Sequence, residues 1–295
     1  MARPRELRRR IRSIQNTRKI TKTMELVATS KLKRAQDRVV AARPYAAALA
    51  EVIADLYSPE PAERFALLRQ PGPGGGGVKR AALIVLTANR GLCGAFNANL
   101  IREGRRRLQE LEGAGAVVDL HLVGKKGVGF FRFTGRAIAS QRIDIGEKPT
   151  AFHAAEIMAP LIAAFEAGTV DAVDVVFAKF QSAIATPPTT LRILPVTPPA
   201  ADGRSGGRTV NYILAPSADA ILERLLPLYV HNQMFRALVE TAAAFYGAQR
   251  TAMKNATDNA GEILDVLRRT YNRARQAQIT QEIAEIVGGA EALQG

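Results

Sequence analysis

The sequence predicts an α/β protein in two parts: a long antiparallel α-helical coiled coil built from the N- and C-terminal helices, and a compact α/β domain between them. Three observations predict this. Each end of the chain carries a long stretch whose apolar residues recur at steps of three and four. The middle alternates short apolar runs with helix-forming stretches. A run of proline and glycine divides the first stretch from the middle.

From about Pro4 to Tyr57 the chain is rich in Ala, Arg, Lys and Leu, with neither Gly nor Pro between Pro4 and Pro44. It reads as one helix, with a bend expected at Pro44. Leu7, Ile11, Ile14, Thr17, Ile20, Met24 and Val27 form the expected buried stripe. Some 50 residues at ~1.5 Å each reach roughly 75 Å, longer than a small domain is wide. PGPGGGG at Pro71–Gly77 reads as a flexible linker.

Beyond it, Ala81–Leu86, Val117–Val123, Val173–Phe180 and Leu191–Val196 are short apolar runs suited to buried strands. Phe96–Leu111 and Ala151–Ala167 suit helices. Strands alternating with helices predict a Rossmann-like central α/β domain with a mainly parallel sheet. After the loop TPPAADGRSGG the helical pattern returns from about Ser217 and runs almost to the end, in spite of Pro227, Gly247 and Gly261. Leu264, Leu267, Tyr271 and Ala274, then Ile279, Ile283, Ile286, Ala290 and Leu293, follow heptad spacing with one break. The expected divisions are 1–60 for the N-terminal coiled-coil helix, 61–77 for the linker, 78–212 for the central domain and 213–295 for the C-terminal coiled-coil helix. Two narrow stripes, too narrow for the interior of a bundle, are best covered by each other, with the middle domain as a foot.

Composition narrows the function. A hydrophobic content of 47% is enough for a core, while aromatics are scarce at 6% and Trp is absent. The formal net charge is +14, and residues 1–43 hold fourteen Lys or Arg against Glu6, Glu25 and Asp37. So basic a chain calls for an acidic partner: protein, an anionic membrane surface or nucleic acid. A basic coiled-coil nucleic-acid-binding protein is the alternative function, although no recognition module and no interleaved aromatics accompany the basic run. No apolar run is long enough to span a membrane.

Enzymatic chemistry finds little support. PGPGGGG lacks the Lys–Ser or Lys–Thr of a phosphate-binding loop, and TANRGLCGAFN is not a dinucleotide fingerprint. GKKGVG at Gly124–Gly129 follows a strand and reads as a structural turn, with weak anion binding as the sharper reading. His121, His153 and His231 have no metal-ligand spacing, and Cys93, the one cysteine, reads as a small buried thiol. No catalytic residue, cofactor, metal ligand or small-molecule substrate is expected.

Three stretches resemble the gamma subunits of F-type ATP synthases: IRSIQNTRKITKTMELVATSKLKRAQ (Ile11–Gln36), LTANRGLCGAFN (Leu86–Asn97) and ITQEIAEIVGGAEA (Ile279–Ala292). AMKNATDNA at Ala252–Ala260 and YNRARQ at Tyr271–Gln276 belong to the same pattern. The resemblance implies a non-catalytic rotor whose coiled coil enters a ring of alpha and beta subunits. Its central domain would lie on the epsilon subunit and the c-subunit ring, at the cytoplasmic side of the bacterial inner membrane. It also implies coupling or ring-contact roles for Met24, Arg275, Gln276, Thr280, Glu282 and Glu285. The basic shaft would complement an acidic loop on beta, with no nucleic-acid partner. Three features depart from the family: Asn89 stands where an Asp is usual, Ala244–Arg250 lacks the usual Ser–Glu pair and Ala–Arg–Met run, and PGPGGGG is unusual.

Overall fold

A computed structural model describes residues 4–56, 65–70, 77–197 and 217–292. The linker PGPGGGG up to residue 76, most of the loop TPPAADGRSGG, Tyr57 and Leu293 lie outside the described residues. The chain divides into two compact units, Thr29–Ala248 and Met1–Ala28 with Gln249–Gly295. Two helices contribute to both: α1 (Pro4–Leu56) and α5 (Ala218–Ala292). α1 does not end at Pro44 but continues through it for three further turns.

The larger unit holds a five-stranded sheet of β1 (Arg80–Leu86), β2 (Val117–Val123), β3 (Ser140–Arg142), β4 (Ala172–Ala178) and β5 (Pro188–Leu194), in the order β3-β2-β1-β4-β5. β3, β2, β1 and β4 are parallel, and β5 runs antiparallel along β4. The connections carry α2 (Phe96–Gly113), α3 (Lys125–Phe133) and α4 (Ala151–Glu166).

The central strands read as unbroken apolar runs because both their faces are covered. Along β1 the side chains alternate between two clusters. Ala82, Ile84 and Leu86 join Met158 and Phe165 of α4 with Leu226, Val230 and Met234 of α5. Leu83 and Val85 join Leu100 of α2, Phe131 of α3, Leu32 and Val39 of α1 and Val239 and Ala243 of α5. Fully buried Phe131, Phe165 and Met158 each stabilise the fold by about 1.5–3 kcal/mol. The charged exception on β4 is Asp174, fully buried yet paired: Arg107 of α2 and Arg192 of β5 each donate Nε to it at 2.8 Å.

Three details differ from the sequence expectation. The glycine-rich segment after β2 is no simple turn but the start of α3, and β3 was not foreseen at all. The last strand lies three residues earlier at its start than expected, at Pro188. Glycines 127 and 129 depress helix propensity, and a three-residue strand carries too short a pattern to read.

The smaller unit is an antiparallel pair of helices. The Thr21 and Thr257 hydroxyls are hydrogen-bonded at 2.8 Å, and one turn on, the Arg18 guanidinium lies along Gly261, 3.8 Å from where a Cβ would stand. The seam on α5 follows Met253, Thr257, Ala260, Leu264, Leu267, Tyr271 and Ala274, as the sequence spacing indicates from Leu264 onward. On α1 the expected stripe is displaced after Ile14: Ile20 and Val27 are 60% and 50% exposed. The seam steps instead through 18, 21, 25 and 28, holding the mean 3.5-residue spacing of paired helices. Polar residues at three of those positions hid it. Glu25 is held there by Lys22, 3.1 Å away.

Candidate partner-binding surface

In an open parallel sheet, ligands enter at the C-terminal strand ends where the strand order reverses, here between β1 and β4. α5 covers the β4 side of that place, while a cleft remains over the ends of β1 and β2. The Phe180 amide, just past β4, donates to Glu240 Oε2 at 3.1 Å, and the Ala178 amide donates to Thr241 Oγ1 at 3.4 Å. Glu240 is buried and also receives Arg236 Nε at 2.8 Å.

The second phosphate-like position, the N-terminus of α3, is likewise taken up. Gly124 caps it with φ of 99°, a conformation only glycine adopts freely, and an added Cβ would stand 2.1 Å from the Thr87 carbonyl oxygen. The first amides donate inside the chain: Lys125 to Asn89 Oδ1, Lys126 to the Ala88 carbonyl and Gly127 to Thr87 Oγ1. GKKGVG therefore spends its donors on the β1–α2 turn. Asn89 Nδ2 also donates to the carbonyls of Ile143 and Ile145, at 3.1 and 3.0 Å.

Beside Asn89 a cleft of about 360 Å³ is bordered by Arg90, Lys125, Glu147, Leu238 and Tyr246. Glu147 receives Lys31 Nζ at 2.6 Å and lies 3.4 Å from Arg90. Burial alone would raise the Glu147 carboxyl, but Lys31, the nearby Tyr246 hydroxyl and Arg90 together hold it below the usual range. Burial foremost, then the Glu147 charge, pushes the Tyr246 phenol up, and its hydroxyl stays outside hydrogen-bonding geometry.

The histidines stand apart and play local parts. Nδ1 of His121 is 2.7 Å from Ser140 Oγ, His153 closes a capping box with Thr150 at the start of α4, and His231 is half-buried on α5. Burial lowers the pKa of His121, against Asp119, and that of His231. Cys93 is buried, which raises its thiol, with Asn97 Nδ2 3.2 Å from the sulfur. Among the described residues no group of His, Cys, Asp and Glu is placed to hold a metal ion, and no helix is long and apolar enough to cross a membrane.

The end of α5 faces outward. Arg275, Gln276, Thr280, Glu282 and Glu285 are all exposed there. Glu282 receives Gln278 Nε2 at 2.7 Å and Glu285 receives Gln281 Nε2 at 2.9 Å. Ile279 and Ile286 are 46% and 72% exposed, with Ile283 between them. At ~100° per residue the three isoleucines share one face, flanked by Arg275 and Glu282 on one side and Gln276 and Thr280 on the other; Glu285 points elsewhere. The pairing of Thr21 with Thr257 sets Pro4 opposite residues near 274, so the isoleucine face continues past the described start of α1. Met24 is half-buried beside the seam, and by the same register it lies roughly 30 Å along the helix from Arg275. The structure thus groups five of the six residues and leaves Met24 apart.

A pair of long helices with exposed isoleucines at one end, and a doubly wound domain with its own helix packed over the end of β4, offer surfaces to partners. The family profile described as ATP synthase matches residues 3–293. The ATP synthase gamma chain of Gemmatimonas aurantiaca is 65% identical over the full length of both chains, and that of Moorella thermoacetica 45% identical over 99% of this chain and all of its own. The chain belongs to the family of ATP synthase gamma chains. In fold it is similar to a chain of the Euglena gracilis mitochondrial ATP synthase, solved with OSCP, F1 and the c-ring (TM-score 0.69, 19% identity, 98% of this chain and 94% of that one). It is also similar to one from the central stalk and c-ring of the Tetrahymena thermophila enzyme (TM-score 0.59, 23% identity, 80% of this chain and 99% of that one).

Proposed function

We propose that this chain is the central rotor stalk of an F-type ATP synthase, coupling ion translocation through a c-ring to ATP synthesis or hydrolysis on the beta subunits, with no chemistry of its own. The observation that carries the reading is the 65% identity to a gamma chain over the full length of both proteins. The helix pair serves as the shaft inside the ring of alpha and beta subunits. The α/β unit meets the epsilon subunit and the c-ring at the cytoplasmic face of the bacterial inner membrane.

The physics of such a rotor lies in unequal contacts. A shaft position that binds one conformation of a beta subunit better than another shifts their populations by that difference alone. The contacts must break every third of a turn. Exposed ion pairs, worth about 0–1 kcal/mol each, suit that better than a permanent apolar interface. A basic α1 supplies them to the acidic loop of beta. At the end of α5, Arg275, Gln276, Thr280 and Glu282 border an isoleucine face that a surrounding ring would cover, Glu285 contacts the ring from another face of the helix, and Met24 acts lower on the shaft.

The test replaces Arg275 and Gln276 together with Ala in the complex reconstituted into membranes. Enclosed hydrogen bonds to a charged group are worth roughly 1.5–3 kcal/mol, so assembly or ATP-driven ion pumping falls clearly. Both side chains are exposed in the chain itself, so its thermal unfolding stays unchanged. Normal assembly and pumping would remove the two residues from the mechanism, and an equal loss of the chain's own stability would assign them to packing.

A further inference from the structure

Torque has to pass between the sheet and the helix pair, and α5 is one unbroken helix from Ala218 to Ala292. What fixes this helix against rotation about its own axis is therefore part of the transmission. Smooth apolar packing resists separation better than it resists sliding, because it has no direction. Hydrogen bonds and backbone contacts with fixed geometry supply the direction.

Such contacts are concentrated in one place. The end of β4 and its connection to β5 meet α5 at Glu240, Thr241 and Gly247. Glu240 and Thr241 receive the amides of Phe180 and Ala178. Two turns further along, Gly247 lets the helix backbone approach the Ala183 carbonyl so closely that an added Cβ would stand 2.9 Å from its oxygen. Gly247 lies in the stretch where the sequence departs from the family pattern, and the close approach gives its absent side chain a reason. Glu240 is fixed in turn by Arg236, one helical turn before it, so its carboxylate is buried, charged and held from two sides.

We infer that the β4–β5 connection is a clamp that locks the rotation of α5 to the sheet, with Glu240 as its positioning residue. The inference rests on the rotor function proposed above. The carboxylate binds the residues just past β4, the last of the four parallel strands, to the helix on the side of the sheet where related folds hold a ligand. Thr241 and Gly247 prevent the helix from pivoting about the single carboxylate contact.

The experiment uses the whole complex reconstituted into membranes, with Glu240→Ala and Glu240→Gln. Two quantities are read on the same preparation: ATPase rate and ions pumped per ATP hydrolysed. A loosened clamp lets hydrolysis continue while pumping per ATP drops. Gln keeps an acceptor for the Phe180 amide and loses only the charge, so Glu240→Gln restores much of the ratio. Hydrogen exchange on the isolated full chain adds a local reading, with the Phe180 amide exchanging faster in Glu240→Ala. A Glu240→Ala complex that assembles and pumps at the wild-type ratio overturns the clamp. If that variant does not assemble, Thr241→Val, nearly isosteric, is read in the same way: a lowered ratio supports the clamp and a wild-type ratio overturns it. Failure of the unaltered chain to support any ATP-driven pumping would instead strike at the rotor function.

Discussion

Asn89 shows how one amide can organise three backbone segments. Its Oδ1 receives the Lys125 amide while its Nδ2 serves the carbonyls of Ile143 and Ile145, and these three partners fix its orientation. An ionised Asp at this position keeps the acceptor, loses both donations and sets a negative charge beside two carbonyl oxygens. Asn89→Asp is thus expected to destabilise the α/β unit by about 1–3 kcal/mol at pH 7. The carbonyls raise the folded-state pKa of the new carboxyl above its unfolded value near ~3.9, so the deficit shrinks as pH falls through the raised pKa and the group regains a proton to donate. Unfolding midpoints of the variant and the wild type at pH 7 and pH 4 check this; a deficit that is the same or larger at pH 4 would contradict it. Glu147 titrates the other way. Its lowered pKa means that its contact with Lys31 adds stability above the unfolded carboxyl value, lost as pH falls through the depressed folded value. Replacement of Glu147 by Gln should therefore flatten the acid limb of the unfolding curve and leave alkaline stability largely as it was. Asn89 was visible in the sequence as a departure, but its role was not, because all three partners come from segments 36 to 56 residues away.

At the scale of elements, Asp174 and the helix seam make the sharpest cases. Asp174 sits in a strand otherwise apolar and joins α2 to β5 through Arg107 and Arg192. Removing the buried carboxylate takes the Asp174 contacts from Arg192 and Arg107, the latter keeping Glu110, and both arginines are partly exposed. Asp174→Ala is therefore expected to cost about 1–3 kcal/mol, read as a fall in the denaturation midpoint; a loss under about 1 kcal/mol would mean the arginines reach water freely. For the helix pair, cysteines at Thr21 and Thr257 should form a disulfide under mild oxidation in a Cys93→Ser background, whereas Thr21 with Leu264, two turns away, should not. Crosslinking in both would refute a fixed antiparallel register. The sequence made the strands of the central sheet legible because buried parallel strands are continuous apolar runs. It made the α5 seam legible because that seam is apolar from Leu264 to Tyr271. On α1 the apolar pattern pointed to Ile20 and Val27, which are exposed, since the true seam runs through Arg18, Thr21 and Glu25 and is satisfied by Gly261, Thr257 and Lys22. A polar seam is set by its partners, and periodicity in one helix does not contain them.

At the scale of the molecule, the two units divide the work that the composition already suggested. A formal net charge of +14 without a phosphate cradle suits a protein that meets acidic surfaces. At the C-terminal end of β4, Glu240 and Thr241 of α5 take up the backbone amides. The residues at the end of α5 were legible only through family resemblance, since exposed side chains on a lone helix carry no pattern of their own beyond the isoleucine face. That face and the basic α1 both await partners that the chain does not contain. The most direct measurement is therefore made in the assembled complex. The ring of alpha and beta subunits is fixed to a surface, a probe is attached through Phe133→Cys, an exposed position on the α/β unit, and ATP is added. A rotor predicts turning in one direction, in steps of a third of a turn, at a rate that follows ATP hydrolysis. Sustained hydrolysis by the same assembled complex with the probe stationary would contradict it.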